Sequence, residues 1–198
     1  MKFERMIHMS HKFNPENKQK LDNPERRKLL PPEETLGRLG MEEGTVVADI
    51  GCGIGYFTLS AARIVGRQGK VFALDLLTEM LEIVKEKTVE QHLTNVEMVQ
   101  VKENDFVLAE KTIEYALACL VVHETENPTD FFREVHRVLQ PGGRLAIIEW
   151  IKQESKMGPP IDHRLDDTAL EDVLHQCGYA KTEKIALNSE MYAIIAVV

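Results

Sequence analysis

From residue 45 onward, short apolar runs alternate with amphipathic stretches. TVVADI (45–50) is a continuous apolar run ending at Gly51, the pattern of a strand buried on both faces. Tyr56–Val65 is helical in composition and stops at Gly66, and KVFALD (70–75) predicts a second strand. Thr78 is placed as the cap of a helix running to about Gln91, with Glu79 in its first turn and Met80, Leu81, Val84 and Thr88 at helical spacing. NVEMVQV (95–101) and IEYALACLVV (113–122) read as the third and fourth strands. The eleven residues between them are too few for a long crossover helix. Thr129–Leu139 predicts a helix that ends at Pro141-Gly142-Gly143, and GRLAIIEW (143–150) a fifth strand.

Strands alternating with helices of this length imply a parallel sheet with right-handed connections. The end of the chain differs. After a helix near Asp166–Cys177, closed by Gly178, come KTEKIALN and MYAIIAVV with Ser189 and Glu190 between them, which predicts an antiparallel hairpin. The expected fold class is therefore α/β, with a seven-stranded mixed sheet of parallel strands and a C-terminal antiparallel hairpin. No internal repeat or low-complexity tract interrupts it.

Composition narrows the function classes. The chain has 198 residues, 43% of them hydrophobic and 28% charged, and a chain of this length buries about 70% of its unfolded surface without staples. Its apolar runs fall short of the roughly 18 residues a membrane helix needs, and MKFERMIHMS lacks the apolar region of a secretory signal. Cys52, Cys119 and Cys177 are odd in number and far apart, so they form neither a disulfide framework nor a CxxC metal site. The net charge of −8 argues against a nucleic-acid partner. A cytoplasmic, single-domain, acidic protein is expected.

Charge is unevenly spread. Residues 1–30 carry eight Lys/Arg against four Asp/Glu, a balance of +4 that leaves −12 for the rest. Broken by Pro15, Pro24, Pro31 and Pro32, this stretch reads as an arm with a short helix near Pro24–Leu30, either a solvated surface segment or a lid. The domain then divides into an N-terminal arm (1–44), a core (45–150) and a closing loop, helix and hairpin (151–198).

In an open α/β sheet, ligands bind beyond the carboxyl ends of the strands where strand order reverses. The loop there is Asp49-Ile50-Gly51-Cys52-Gly53-Ile54-Gly55, whose glycines permit a tight turn and close approach of backbone to a ligand. The dinucleotide fingerprint needs glycine at 56, where Tyr56 stands, and no Gly-Lys-Ser/Thr follows for a phosphate loop. What remains is Asp-x-Gly-x-Gly-x-Gly. Asp75 follows 26 residues after Asp49, at the end of the second strand. A carboxylate there either accepts both hydroxyls of a ribose or caps the next helix.

These residues resemble the class I, Rossmann-like S-adenosylmethionine-dependent methyltransferases, in particular the small ubiquinone/menaquinone C-methyltransferase-like group. VVADIGCGIGYFT is similar to the family's first motif, FALDLLTEML to its second, and FFREVHRVLQPGGRLAIIEW to its Leu-x-Pro-Gly-Gly-x-Leu segment. The resemblance implies a three-layer fold and S-adenosylmethionine as cofactor, with S-adenosylhomocysteine as product. It also implies roles by position. Asp49 orients the loop and, directly or through water, the methionine ammonium; Gly51, Gly53 and Gly55 line the methionine and ribose. Cys52 lies within that loop, with packing expected of its thiol. Asp75 holds the ribose hydroxyls and Leu76 walls the adenine. One of Glu103, Asn104 and Asp105 meets the adenine amino group, although the family's common Gly-Asp-Ala form is missing. Leu120 or Val121 meets the cofactor through backbone.

With a sulfonium carrying the difficult chemistry, the protein must align the acceptor, exclude water and, for some acceptors, supply a base. His123, just past the fourth strand and beside Glu124, is the candidate base; the competing reading is that it hydrogen-bonds loop backbone. His163 and Arg164, after Gly158-Pro159-Pro160, either bind the acceptor or begin a helix. His11 and Phe13 in the arm are candidates for closing the site, and His8, His92, His136 and His175 read as surface or helix residues. A metalloid methyltransferase would need three convergent cysteines. The readings in play are methyl transfer to a small or medium organic acceptor, a cofactor-binding sensor or partner subunit without turnover, and a nicotinamide oxidoreductase that the glycine spacing disfavours.

Overall fold

The computed structural model describes residues 21–198, so His8, His11 and Phe13 lie outside the described residues. Seven strands form one sheet in the order β3-β2-β1-β4-β5-β7-β6. They are β1 (Val46–Ile50), β2 (Lys70–Asp75), β3 (Val96–Gln100), β4 (Ile113–Cys119), β5 (Leu139–Trp150), β6 (Lys181–Ala186) and β7 (Met191–Val197). The first five run parallel, and β7 lies antiparallel between β5 and β6. The expected mixed sheet and terminal hairpin are both present. Strand order reverses between β1 and β4, where Ile50 pairs with Leu74 on one side and Ala118 on the other. Three carboxyl ends therefore finish level, and the loops that leave them converge.

Helices cover both faces. On one, α2 (Pro32–Arg38) and α3 (Thr58–Val65) pack Leu36, Leu39, Ala61, Ala62 and Val65 against Val47, Leu117, Ala146 and Ile148. Beside α3 on the same face, α4 (Thr78–Glu90) packs Leu81 and Val84 against Ala73. On the other, α5 (Pro128–Val138) and α6 (Asp167–Gln176) set Phe131, Phe132, Val135, Leu170 and Leu174 against Ala116, Ala118, Leu145 and Ile147. Neighbouring strand residues serve opposite cores, which is why the strands read as unbroken apolar runs.

Several boundaries differ from expectation. Leu77, not Thr78, is the N-cap residue of α4, and it makes no side-chain cap; Asp75 Oδ1 instead accepts from the Leu77 N–H at 3.0 Å. The fifth strand begins at Leu139 rather than Gly143, because Leu139 already pairs with Ile113 and Pro141-Gly142-Gly143 is carried within the strand as an irregularity. The fourth ends at Cys119 rather than Val122. Leu120 turns left-handed (φ 59°) and the chain enters a 3-10 turn at Val122–Glu124.

Residues 21–44 hold a helix that sequence reasoning missed. Behind α1 (Pro24–Leu29), α2 begins directly at Pro32. Proline in the first helical turn costs nothing, because its missing N–H would have no intrahelical acceptor there. The Pro31-Pro32 pair is thus a helix start, not a break. Leu30, Leu36 and Leu39 are fully buried, each contributing about 2 kcal/mol. Hydroxyls of the core reach out to hold the segment: Tyr56 donates to Leu30 O at 2.8 Å and Tyr115 to Leu39 O at 2.9 Å. Among the described residues no helix is long and apolar enough to cross a membrane.

Candidate functional site

The loop after β1 is built from left-handed backbone. Gly51, Gly53 and Gly55 have φ of 66°, 53° and 82°, a region costly for residues with a Cβ. At Gly51 space is closed as well, since a Cβ would lie 2.5 Å from Val121 Cγ2. Strain and overpacking together predict that Gly51→Ala destabilises the protein by about 2–4 kcal/mol, measurable as a lowered urea midpoint. Lys87 of α4 also clasps the loop, donating to Ile54 O at 2.8 Å.

Two carboxylates meet this loop from below. Asp75 is nearly buried; its Oδ2 accepts from Gly53 N at 2.8 Å and its Oδ1 from Leu77 N at 3.0 Å. It therefore ties the loop to the start of α4, and each oxygen keeps a lone pair for a further donor. Burial raises its pKa, which the three backbone N–H groups of Leu77, Gly53 and Leu76 oppose. Asp49 is only 3% exposed and accepts from Thr58 Oγ1 at 2.6 Å. Burial, reinforced by Asp75, pushes its pKa up to about 7. Two carboxylates that act on one another in so dry a place favour a bound positive charge.

The other predicted positions are distributed around this centre. The Cys52 side chain is buried beneath the loop with Ala73, Leu81 and Val84, and burial beside the carboxylates holds its thiol protonated. Leu76 is exposed at the end of β2, an apolar surface beside Asp75. Glu103, Asn104 and Asp105 form a tight turn after β3, closed by Lys102 N and Asp105 O at 3.0 Å. Within it, Asp105 Oδ1 folds back to accept from Val107 N, and Glu103 Oε1 accepts from Glu126 N at 2.5 Å. Leu120 donates its N–H to Ile148 O at 2.8 Å, so its left-handed turn directs the chain across the sheet end.

His123 is not a loose rim residue. Its Nδ1 lies 2.8 Å from Glu149 Oε2, its N–H donates to Glu149 Oε1 at 3.3 Å, and its Nε2 lies 3.9 Å from Glu124 Oε1. Glu149 is 1% exposed. Burial acts to lower the His123 pKa, but the Glu149 and Glu124 carboxylates outweigh it and the net shift is upward. Sequence reasoning missed Glu149. Its signal was present: a lone carboxylate inside IIEW, a run buried on both faces, requires a partner.

Arg164 has its donors committed. At 2% exposed, it donates to the carbonyls of Ile151 (2.9 Å), Pro159 (3.0 Å) and Met157, with its guanidinium 5.5 Å from the Trp150 ring centre. It holds the loop of residues 151–165 in shape. Among the described residues no group of three His, Cys, Asp or Glu side chains is gathered to hold a metal.

Comparison with known proteins follows the same lines. The family described as "Methyltransferase domain" matches residues 48–147. A curated demethylmenaquinone methyltransferase from Geobacillus sp. (strain WCH70) is 27% identical over 124 residues, covering 63% of this chain and 53% of that protein. One from Listeria monocytogenes serotype 4a (strain HCC23) is 30% identical over 117 residues, covering 59% and 49%. The chain thus spans about half the length of the curated relatives it matches. Among solved structures, a SAM-dependent methyltransferase from Aquifex aeolicus superposes with a TM-score of 0.90 at 32% identity, covering 94% of this chain and all of that one.

Proposed function

The chain belongs to the class I S-adenosylmethionine-dependent methyltransferases, and we propose that it methylates a small organic acceptor of the demethylmenaquinone kind, in its reduced, hydroxylated form. The observation that carries the cofactor half is the pair of buried carboxylates, Asp49 and Asp75, at the ends of adjacent strands around three left-handed glycines. An acidic, desolvated cradle of this kind suits a ligand with an ammonium and a sulfonium at one end and ribose hydroxyls at the other. Asp49 meets the ammonium, Asp75 offers its free lone pairs to the hydroxyls, Leu76 lies along the adenine, and the Glu103–Asp105 turn and the Leu120 backbone close the sides. The bound cofactor supplies an electrophilic methyl group without further activation.

The protein's own part is alignment, exclusion of water and management of one proton. A hydroxylated ring becomes a better carbon nucleophile when its hydroxyl is deprotonated. His123 is the base in this reading: Glu149 binds Nδ1 and so leaves Nε2 to take the proton. The apolar character of the acceptor is supported by Leu29, Leu120, Met157 and Leu187, which are partly exposed and pack on the core cluster that contains Trp150. It is supported too by the relatives' names. A cytoplasmic setting fits the three free thiols, and the net charge of −8 fits a small molecule better than a nucleic acid.

Calorimetric titration with S-adenosylhomocysteine and NAD, followed by mass-spectrometric detection of methyl transfer to a reduced short-chain demethylmenaquinone, tests the proposal. The expected result is binding of the first ligand only, and a product heavier by one methylene. NAD binding without S-adenosylhomocysteine binding would overturn the cofactor assignment. Cofactor binding with no transfer to any reduced quinone would replace the enzyme by a binding module.

A further inference from the structure

α1 lies over the glycine loop. Leu21, just before it, places Cδ1 3.2 Å from where a Cβ on Gly53 would sit, and Leu30, just after it, is buried with its carbonyl accepting from Tyr56 OH. Two successive arginines on this helix behave differently. Arg27 turns outward, where Asp22 binds its guanidinium through two contacts of 2.6 Å. Arg26 turns inward, its guanidinium carbon 4.4 Å above the Tyr56 ring centre. Its Nε is shut off from solvent and donates to nothing, the one such side-chain atom among the described residues. Native proteins seldom leave a buried donor in this state without a ligand, ion or ordered water to complete it.

The surroundings specify the ligand. Arg26 acts electrostatically on Asp49 at the end of β1, and through both its charge and a side-chain hydrogen bond on the Cys119 thiol at the end of β4, so its charge hangs over the strand reversal while its Nε stays open. Yet Asp49 is hydrogen-bonded to Thr58 and, among the described residues, makes no ion pair with Arg26. An inward cation with an open Nε donor thus lies near a buried anion without forming an ion pair with it. A group carrying an anion and a cation on one carbon, an α-amino acid, satisfies both at once.

We propose that Arg26 binds the carboxylate of the cofactor's amino-acid tail and, with Asp49 on the ammonium, makes a clamp selective for that zwitterion. The inference rests on the glycine loop being the cofactor site and adds a residue from outside the matched family segment. Guanidinium suits the task because its planar fork engages a carboxylate through two donors. It also gives the basic N-terminal segment a role in retaining cofactor, separate from any contact with the acceptor.

The test compares S-adenosylhomocysteine with 5′-methylthioadenosine, which keeps the adenine, ribose and sulfur but lacks the amino acid. In Arg26→Met, whose apolar stem still covers Tyr56, affinity for S-adenosylhomocysteine should fall roughly ten- to a hundredfold. Affinity for 5′-methylthioadenosine should stay within about twofold, and Arg26→Lys should lie between wild type and Arg26→Met for the first ligand only. Equal losses for both ligands, or no loss for either, would overturn the proposal. Should Arg26→Met fail to fold, Arg26→Lys and the decarboxylated cofactor analogue on the wild-type protein carry the same comparison. Wild-type protein that binds 5′-methylthioadenosine as tightly as S-adenosylhomocysteine would sink the clamp but leave the cofactor site standing; binding of neither would sink both.

Discussion

Asp49→Asn is expected to weaken S-adenosylhomocysteine binding roughly a hundredfold or more while making the ligand-free protein more stable at pH 8. The affinity loss follows from removing the anion that, in the proposed site, faces the cofactor's ammonium. The stability gain follows from the pKa of Asp49, raised from 3.8 to about 7. Between about pH 4 and 7 the folded protein holds a proton that the unfolded chain has released, so stability from this group falls as pH rises through that window. Above about 7 the full penalty is present; below about 4 it is gone. A shift of this size bounds the penalty at about 4 kcal/mol, and weakening the hydrogen bond from Thr58 returns part of it. A net gain of about 2 kcal/mol raises the melting temperature by about 4–8 °C at pH 8. At pH 5 the two proteins should melt almost together. A substitution that stabilises the fold while removing ligand affinity is the behaviour of a binding residue, not a packing one. Equal melting temperatures at pH 8 would refute the account of Asp49.

His123→Ala should reduce turnover by about 10²–10⁴-fold and leave S-adenosylhomocysteine affinity nearly unchanged. In the proposed mechanism Glu149 is a positioning residue that acts through His123, and its contribution should show in the pH profile. Because Glu149 and Glu124 hold the His123 pKa above its ordinary value against the effect of burial, kcat/KM in the wild type should rise with pH through an acid limb above about 6.5. Glu149→Gln keeps the shape of the side chain but removes its charge, leaving burial less opposed. The acid limb should then move to lower pH. A structural role alone would lower activity without moving the limb, so a stationary limb would remove Glu149 from the mechanism. The stability sign is opposite to that of Asp49: the His123–Glu149 pair contributes fully below the unfolded histidine pKa and fades as pH rises through the raised one.

The cofactor half of this site was legible because it is local. A strand, a loop and a helix start lie within ten residues of Asp49, and Asp75 ends the next strand, so pattern and spacing place them. The sheet was legible for the same reason, as runs such as KVFALD advertise their own burial. Residues whose meaning depends on distant partners were not. Glu149 and His123 are 26 residues apart and on different strands' ends, and the significance of Arg26 depends on where α1 docks. Arg164 carries a charge that reads as surface until three carbonyls are seen to surround it. Proline misled twice, in opposite senses. At Pro31-Pro32 it began a helix where a break was expected, and at Pro141 it sat within a strand thought to start after it.

The segment of residues 21–44 is fastened at its far side to the last hairpin. Arg38 donates to the carbonyls of Ala186 and Leu187, and Asn188 donates to Leu29 O, contacts that join residues 148 to 159 positions apart. The segment's contacts with Gly53 and Tyr56 close loops of about thirty residues, whereas its contacts with the hairpin close only once the intervening sheet has drawn the ends together. During synthesis the glycine loop and both aspartates can assemble well before the piece that covers them is fastened. The order in which the chain is made thus leaves the cover held at one edge first and at both edges once the hairpin is in place.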